Sequence, residues 1–314
     1  MTKVLFTYDY GNEKMDQVRA LGYDVLIAKE NGIQYLERFE DVEVLVCYKP
    51  FETLDIRKMN HLKWIQLSSI GIDQTPLEYV EKEKIQLTNN KGGYSVPMGE
   101  WIVLKVLESY KDSKSMIQKQ EKKEWHMNTS ILELVGKTIG FIGTGTIAHE
   151  AAKRLQGFEM KVLGVNTNGR DIPLFDQCYA IDDMETFLKK CDIVVCTIPY
   201  TAKTHHLINR DCMNAMKKES VLINVARGSI IDEQALIEAL ENGHFRSVAL
   251  DVFEQEPLPV ESPLWSFERA YISAHNSWIS EMRNERRFDL TIENLRRYIN
   301  NETLLNQVNI SKGY

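Results

Sequence analysis

The sequence predicts an α/β chain of two doubly wound parallel-sheet domains, and three observations carry that prediction. Short apolar runs alternate with helical patterns along most of the chain, as βαβ units require. The rhythm breaks at "TNNKGGYSVPMGEW" (88–101), where Asn, Gly and Pro cluster ahead of a long helical stretch. At 314 residues the chain also exceeds the roughly 150 residues of an average domain, so two cores are expected.

In the first half, "KVLFTYD" (3–9), "YDVLIA" (23–28), "VEVLVCY" (42–48) and "LKWIQLS" (62–68) read as strands. Amphipathic segments such as "NEKMDQVRAL" (12–21) and "ETLDIRKM" (52–59) lie between them. The alternation restarts at "KTIGFIGTG" (137–145) and continues through "MKVLGV", "DIVVCTIP", "SVLINVA", "SVALDVF" and "AYISAH" (270–275). Six strands with intervening helices would complete a doubly wound sheet. The segment 280–300, "SEMRNERRFDLTIENLRRYIN", then reads as a long amphipathic helix that can lead back to the first domain.

Composition excludes several classes. A formal charge of −7 argues against a nucleic-acid partner. The lysine-dense stretch 111–125 carries Asp112, Glu121 and Glu124, and reads as a solvated helix face. The five cysteines show neither CxxC pairs nor metal spacing, so free thiols in a reducing cytoplasm and no metal are expected. "MTKVLFTYDYGNEK" meets charge too early for a signal peptide, and no apolar run approaches a membrane span.

"GFIGTGTIAHEAAKRL" (140–155) sets a glycine-rich turn between a strand and a helix. Gly143 permits the tight turn, Gly145 lets backbone approach a pyrophosphate, and Ala148 stands at the third glycine position. Amides near Thr146 and Ile147 would hold phosphate at the helix start. Ligands bind beyond the carboxyl ends of parallel strands, and three consecutive strands deliver Arg227, Glu256 and His275 to that edge. Alone, these would be an ion pair, a turn residue and a core histidine. Together at one edge they point to chemistry.

These residues lie in segments that resemble the D-isomer-specific 2-hydroxyacid dehydrogenase family. "NVARGSIIDEQALIEAL", "ALDVFEQEP" and "SAHNSW" are similar to its arginine, glutamate and histidine signatures. "LKWIQLSSIGID" (62–73) resembles its substrate loop, "CTIPYTAKTHHLI" (196–208) its nicotinamide-flanking segment, and "NQVNISKGY" its short phosphoglycerate-dehydrogenase-like branch. The resemblance implies a Rossmann dinucleotide-binding domain, 98–283, inserted into a flavodoxin-like substrate domain, 1–97 and 284–314. It further implies nicotinamide contacts from Thr197, Pro199, Thr204, Val225, Ala226, Asp251 and Ser277, and a substrate carboxylate held by Ser69, Ile70 and Gly71. A homodimer using 98–122 is expected, as is cleft closure about hinges near 93–99 and 279–285.

The chemistry agrees with the resemblance. Reducing a 2-oxo acid requires a hydride onto C2, a proton onto its oxygen and a fixed carboxylate. Arg227 would clamp the acid and stabilise developing charge, while His275 would move the proton. Glu256 would orient His275 and raise its pKa; Glu254 is a nearby rival for that task. Asn166 stands eighteen residues past Ala148, where an acid normally chelates the adenosine ribose. An amide there, with Thr167, Asn168 and Arg170 following, favours NADP, with NAD the alternative. D-3-phosphoglycerate dehydrogenase and a dinucleotide-sensing, corepressor-like binding protein are the competing readings. The first would draw on Lys49 and Arg57 for a phosphate, and no appended regulatory module is expected after residue 314.

Overall fold

The computed structural model describes residues 1–313, which fall into two units. One combines Met1–Tyr94 with the segment from Ser280 onward; the other is Ser95–Ile279.

The first unit contains β1 (Thr2–Phe6), α1 (Asn12–Ala20), β2 (Tyr23–Ile27), β3 (Val44–Cys47), β4 (Trp64–Leu67), α2 (Leu77–Lys82) and β5 (Gln86–Thr88). All five strands are parallel, in the order β2-β1-β3-β4-β5. That is the flavodoxin-like winding. Every residue of β3 and β4 is buried, because helices and loops cover both faces of the sheet. Alternation sends Leu5, Leu45 and Ile65 into one core and Val4, Phe6 and Trp64 into the other. Phe288 and Leu295 of the C-terminal helix, Arg283–Ile299, close the second core.

A buried polar chain ties that helix to the sheet. Trp64 Nε1 donates to Thr88 Oγ1 at 2.8 Å, and Thr88 donates to Gln66 Oε1 at 2.8 Å. Asn294 Nδ2 donates to the same Gln66 oxygen at 2.8 Å, while Asn294 Oδ1 accepts from Leu305 N at 2.7 Å.

The second unit contains α3 (Ser95–Lys111), α4 (Ser113–Glu121), β6 (Thr138–Ile142), α5 (Thr146–Leu155), β7 (Lys161–Asn166) and β8 (Gln177–Ala180). It continues with α6 (Met184–Leu188), β9 (Ile193–Cys196), α7 (Arg210–Ala215), β10 (Ser220–Asn224), α8 (Glu233–Glu241), β11 (Phe245–Leu250) and β12 (Ala270–Ile272). The parallel order β12-β11-β10-β9-β6-β7-β8 reverses direction between β6 and β9, the switch point of a Rossmann sheet.

Three details depart from the sequence expectations. The second sheet has seven strands rather than six, because β8 pairs outside β7. Its "QCYA" is too short and polar to read as a buried run, and the same holds for "QLT" of β5. The segment 52–59 forms no α-helix, only short 3-10 turns at Pro50–Glu52 and Ile56–Lys58. There the Asp55 carboxylate accepts from Arg57 N at 3.2 Å and competes with helical bonding. Third, the strands end early: β12 stops at Ile272, leaving His275 in the turn beyond it. Among the described residues no helix is long and apolar enough to cross a membrane.

Asn294→Leu should lower unfolding stability by about 1–3 kcal/mol, because it strands Leu305 N–H and one Gln66 acceptor in the interior. A urea midpoint unchanged or raised against wild type would contradict this reading of the polar chain.

Candidate active site

Each of the three edge residues is positioned by the strand that precedes it. Asn224, buried at the end of β10, donates from Nδ2 to the Arg227 carbonyl at 2.9 Å and accepts from Ala226 N at 3.0 Å. Its backbone oxygen accepts from Asp251 N at 3.0 Å, and Asp251 O accepts from His275 N at 2.8 Å. One hydrogen-bonded rung thus links the ends of β10, β11 and β12.

Gly228 explains why a glycine follows Arg227. A Cβ there would sit 1.8 Å from the Phe253 carbonyl carbon and 2.3 Å from Glu254 N. Only glycine lets the Arg227 loop lie against the loop that carries Glu256. The guanidinium itself is half-buried, and its Nη1 donates to Ala226 O at 2.9 Å.

Asp251 holds the histidine turn. Its fully buried carboxylate accepts from Ser273 Oγ (2.6 Å), Asn276 N (2.8 Å) and Ser277 N (2.9 Å). These bonds wrap the turn around His275, whose φ of +53° lies in the left-handed region. Such strain persists only where the surroundings over-determine it, and here they do.

The structure separates the two rival glutamates. Glu256 Oε2 lies 2.8 Å from His275 Nδ1, and Glu256 Oε1 accepts from Phe253 N at 3.1 Å. Glu254 turns to His206 Nε2 at 2.7 Å and to the Glu233 amide at 3.2 Å. Burial pushes the Glu256 carboxyl up, but His275, the Phe253 amide and Arg227 outweigh it and hold it below its ordinary value. An ionised carboxylate can only accept, so Nδ1 carries the proton on that side. Nε2 is left for an external partner.

The glycine-rich turn fits a dinucleotide. Gly143 has φ +96°, and a Cβ there would meet Ile198 Cγ2 at 2.7 Å. Gly145 faces open space and caps α5 without any side-chain bond, so first-turn amides, Thr146 and Ile147 among them, remain available. Ala148 is fully buried in the helix–sheet contact. Thr197 Oγ1 donates to Gly143 O at 2.9 Å, and Thr204 Oγ1 donates to Pro199 O at 2.9 Å, fixing both loops beside the turn. Val225 and Ala226 are buried. Among the described residues Ser277 Oγ is buried with no hydrogen-bond partner, beside a carboxylate, as a carboxamide-binding pair would be.

At the second β-strand end of this sheet, Asn166 closes its own turn. Its Oδ1 accepts from Arg170 N at 3.1 Å and, more weakly, Asn168 N at 3.4 Å, while Nδ2 donates to Arg170 O at 2.8 Å. Thr167 lies within that turn, and Arg170 Nη1 donates to Asn168 Oδ1 at 3.3 Å in an exposed position.

Ser69, Ile70 and Gly71 belong to the first unit and follow β4. Ser69 Oγ donates to Gly71 O at 2.7 Å and accepts from Gln74 Nε2 at 2.7 Å, while Ile70 O accepts from Asn89 Nδ2 at 2.8 Å. Among the described residues nothing accepts from the three amides of this loop. Arg57 is paired with Asp55 at 2.7 Å, so it is not a free phosphate ligand. Sequence reading missed the role of Asn224, which opens the arginine signature segment but was singled out for no task there.

Comparison with known proteins agrees with this geometry. Residues 103–277 match the family model "D-isomer specific 2-hydroxyacid dehydrogenase, NAD binding domain". Glyoxylate reductase of Thermofilum pendens is 34% identical over 273 residues, covering 83% of this chain and 80% of that one. D-3-phosphoglycerate dehydrogenase of Methanocaldococcus jannaschii is 28% identical across 99% of this chain but 60% of its own length. A D-isomer specific 2-hydroxyacid dehydrogenase from Xanthobacter autotrophicus, solved with NADPH and MES, superposes with a TM-score of 0.86 at 27% identity, covering 100% of this chain and 99% of that one. The chain therefore belongs to the D-isomer specific 2-hydroxyacid dehydrogenase family, as an NAD(P)-linked oxidoreductase of small 2-hydroxy and 2-oxo acids.

Proposed function

We propose that the protein works mainly as an NADPH-dependent reductase of small 2-oxo acids, with Arg227, Glu256 and His275 as its catalytic set. The Glu256–His275 pair at 2.8 Å carries this reading. A bound nicotinamide would supply or take up the hydride at C2 of the acid. Arg227 orients the keto acid and stabilises charge on its carbonyl oxygen. His275, steadied through Nδ1, gives a proton to that oxygen from Nε2 in reduction and takes it back in oxidation. In the first unit, the unengaged amides of Ser69, Ile70 and Gly71 are assigned to the substrate carboxylate.

Cofactor assignments follow the same logic. Gly143, Gly145, Thr146 and Ile147 take the pyrophosphate. Thr197, Pro199, Thr204, Val225 and Ala226 flank the nicotinamide riboside, and Asp251 with Ser277 receives its carboxamide. NADP is favoured because Asn166 places no carboxylate against a 2′-phosphate, and the exposed Arg170 can pair with one. Residues 1–97 with 284–314 serve as the substrate domain, and 98–283 as the cofactor domain. A homodimer is supported by the nearly full exposure of Trp125 and Met127 just past α4 (99% and 90%). Free cysteines support a reducing cytoplasm; burial pushes Cys191 and Cys196 up to about 12 and keeps those thiols inert.

Three measurements test the reading. With 2-oxo acids such as glyoxylate, His275→Ala should lower kcat about 10²–10⁴-fold, and Arg227→Ala should damage both kcat and KM. Turnover near wild type in either variant would remove the assignment. The second test concerns pH. Glu256 has a folded-state pKa below its ordinary value of 4.5, so its contribution to stability is complete above 4.5 and declines as pH falls through the folded value. The stability advantage of wild type over Glu256→Gln should shrink in acid; an advantage that grows there would contradict the pairing. Third, kcat/KM should favour NADPH over NADH, and Arg170→Ala should narrow the preference. A wild-type preference for NADH would overturn the NADP assignment.

A further inference from the structure

The carboxyl edge of the first unit's sheet holds polar groups that the mechanism does not use. Arg287, from the C-terminal helix, lies half-buried with its guanidinium carbon 5.5 Å from the Tyr8 ring centroid and 5.9 Å from that of Tyr10. It forms no ion pair among the described residues, and its Nε is buried without a hydrogen-bond partner. The buried hydroxyl of Tyr10 lies beside the Arg287 and Ser68 side chains but has no partner at full hydrogen-bonding geometry among the described residues. Nor has Nδ2 of Asn90, a residue only 1% exposed whose backbone N–H donates to Ser69 O at 2.8 Å.

These groups surround one loop. Tyr94 donates to Ser68 O at 2.5 Å; burial pushes its hydroxyl up to about 12, and Arg287 and Asn90 pull against that rise. Burial also raises Tyr10, opposed by Arg287 and by nearby Ser68. Glu30, the carboxylate near the same edge, is already occupied by Thr7 Oγ1 and the amides of Tyr48 and Lys49. Buried donors without acceptors are costly, and these three, one of them on the unneutralised guanidinium itself, call for an anion.

We propose that Arg287, Tyr10 and Asn90 form a subsite for a second anionic group, making the preferred substrates 2-oxo acids that carry a carboxylate or phosphate beyond the keto-acid head. The proposal rests on the dehydrogenase reading above, since it extends the role given to the 69–71 loop. The guanidinium supplies charge, and the Tyr10 hydroxyl and Asn90 amide supply direction. In sequence, Arg287 is hidden within "RNERRFDL", where it reads as part of a solvated helix face.

The test compares kcat/KM for oxaloacetate, 3-phosphohydroxypyruvate and 2-oxobutyrate, with reduced cofactor saturating. Wild type should favour an anionic acid over 2-oxobutyrate by roughly tenfold or more, and the better of the two identifies carboxylate or phosphate. Arg287→Met should reduce that ratio about 10–100-fold, Tyr10→Phe less, and Arg287→Lys should restore part of it. A wild-type ratio of one or below, or the same ratio in Arg287→Met, overturns the subsite while leaving the dehydrogenase reading intact. If no acid is turned over, that reading fails, and calorimetric titration with malonate decides the subsite alone. Malonate binding weakened in Arg287→Met and Tyr10→Phe upholds it; no binding, or equal binding in all forms, overturns it. Should Arg287→Met fail to fold, Tyr10→Phe and Arg287→Lys carry the same comparison.

Discussion

The carboxyl edge of the second unit depends on one buried carboxylate. Asp251 has no exposed surface, and a carboxylate in such a place is tolerable only when its oxygens are well bonded. Three donors from the 273–277 segment supply those bonds, and they convert a loose strand exit into a fixed turn. The strained backbone of His275 is the consequence. Remove the carboxylate and the three bonds that hold the turn with His275 at φ +53° are lost together. The alignment of Nδ1 on Glu256 then follows from backbone geometry rather than from side-chain rotamer alone.

Gly228 acts on the same edge from the neighbouring strand. Its missing Cβ allows two loops to meet backbone to backbone, which brings an arginine and a glutamate from different strands into electrostatic reach. A parallel sheet makes this economical, since every strand ends at the same edge and adjacent exits are about 5 Å apart. The candidate site is therefore shared among strand exits, while the strands themselves are largely apolar, with Asn224 at the end of β10 tying down the Arg227 loop.

Both units leave polar groups unmatched at the carboxyl ends of their sheets. In the second unit these are Ser277 Oγ and the first amides of α5; in the first they are Arg287, Tyr10, Asn90 and the 69–71 amides. Elsewhere the interior is mixed: the Trp64–Thr88–Gln66–Asn294 chain is bonded throughout, whereas the buried hydroxyls of Ser109, Ser220 and Ser247 have no hydrogen-bond partner among the described residues. Unsatisfied donors cost stability, so those at the strand ends are candidate points of ligand recognition.

What could be read directly was whatever depends on local pattern. Buried parallel strands must be apolar on both faces, so the runs at β1, β3, β6, β9 and β10 stood out, as did the glycine turn with its strand and helix. The short edges β5 and β8 were invisible for the converse reason: they are three or four residues long, mix polar with apolar side chains and carry no period. Sequence order also delivered Arg227, Glu256 and His275 to one edge, since strand direction alone decides that. It could not choose between Glu254 and Glu256 except by resemblance, because two residues in one loop differ only in where the backbone aims them. Tertiary structure made that choice, pairing Glu256 with His275 and Glu254 with His206. It likewise turned Arg287 from one charge among many on a helix into a guanidinium under two tyrosine rings. Burial and partnership are properties of distant residues brought together, and no local pattern encodes them.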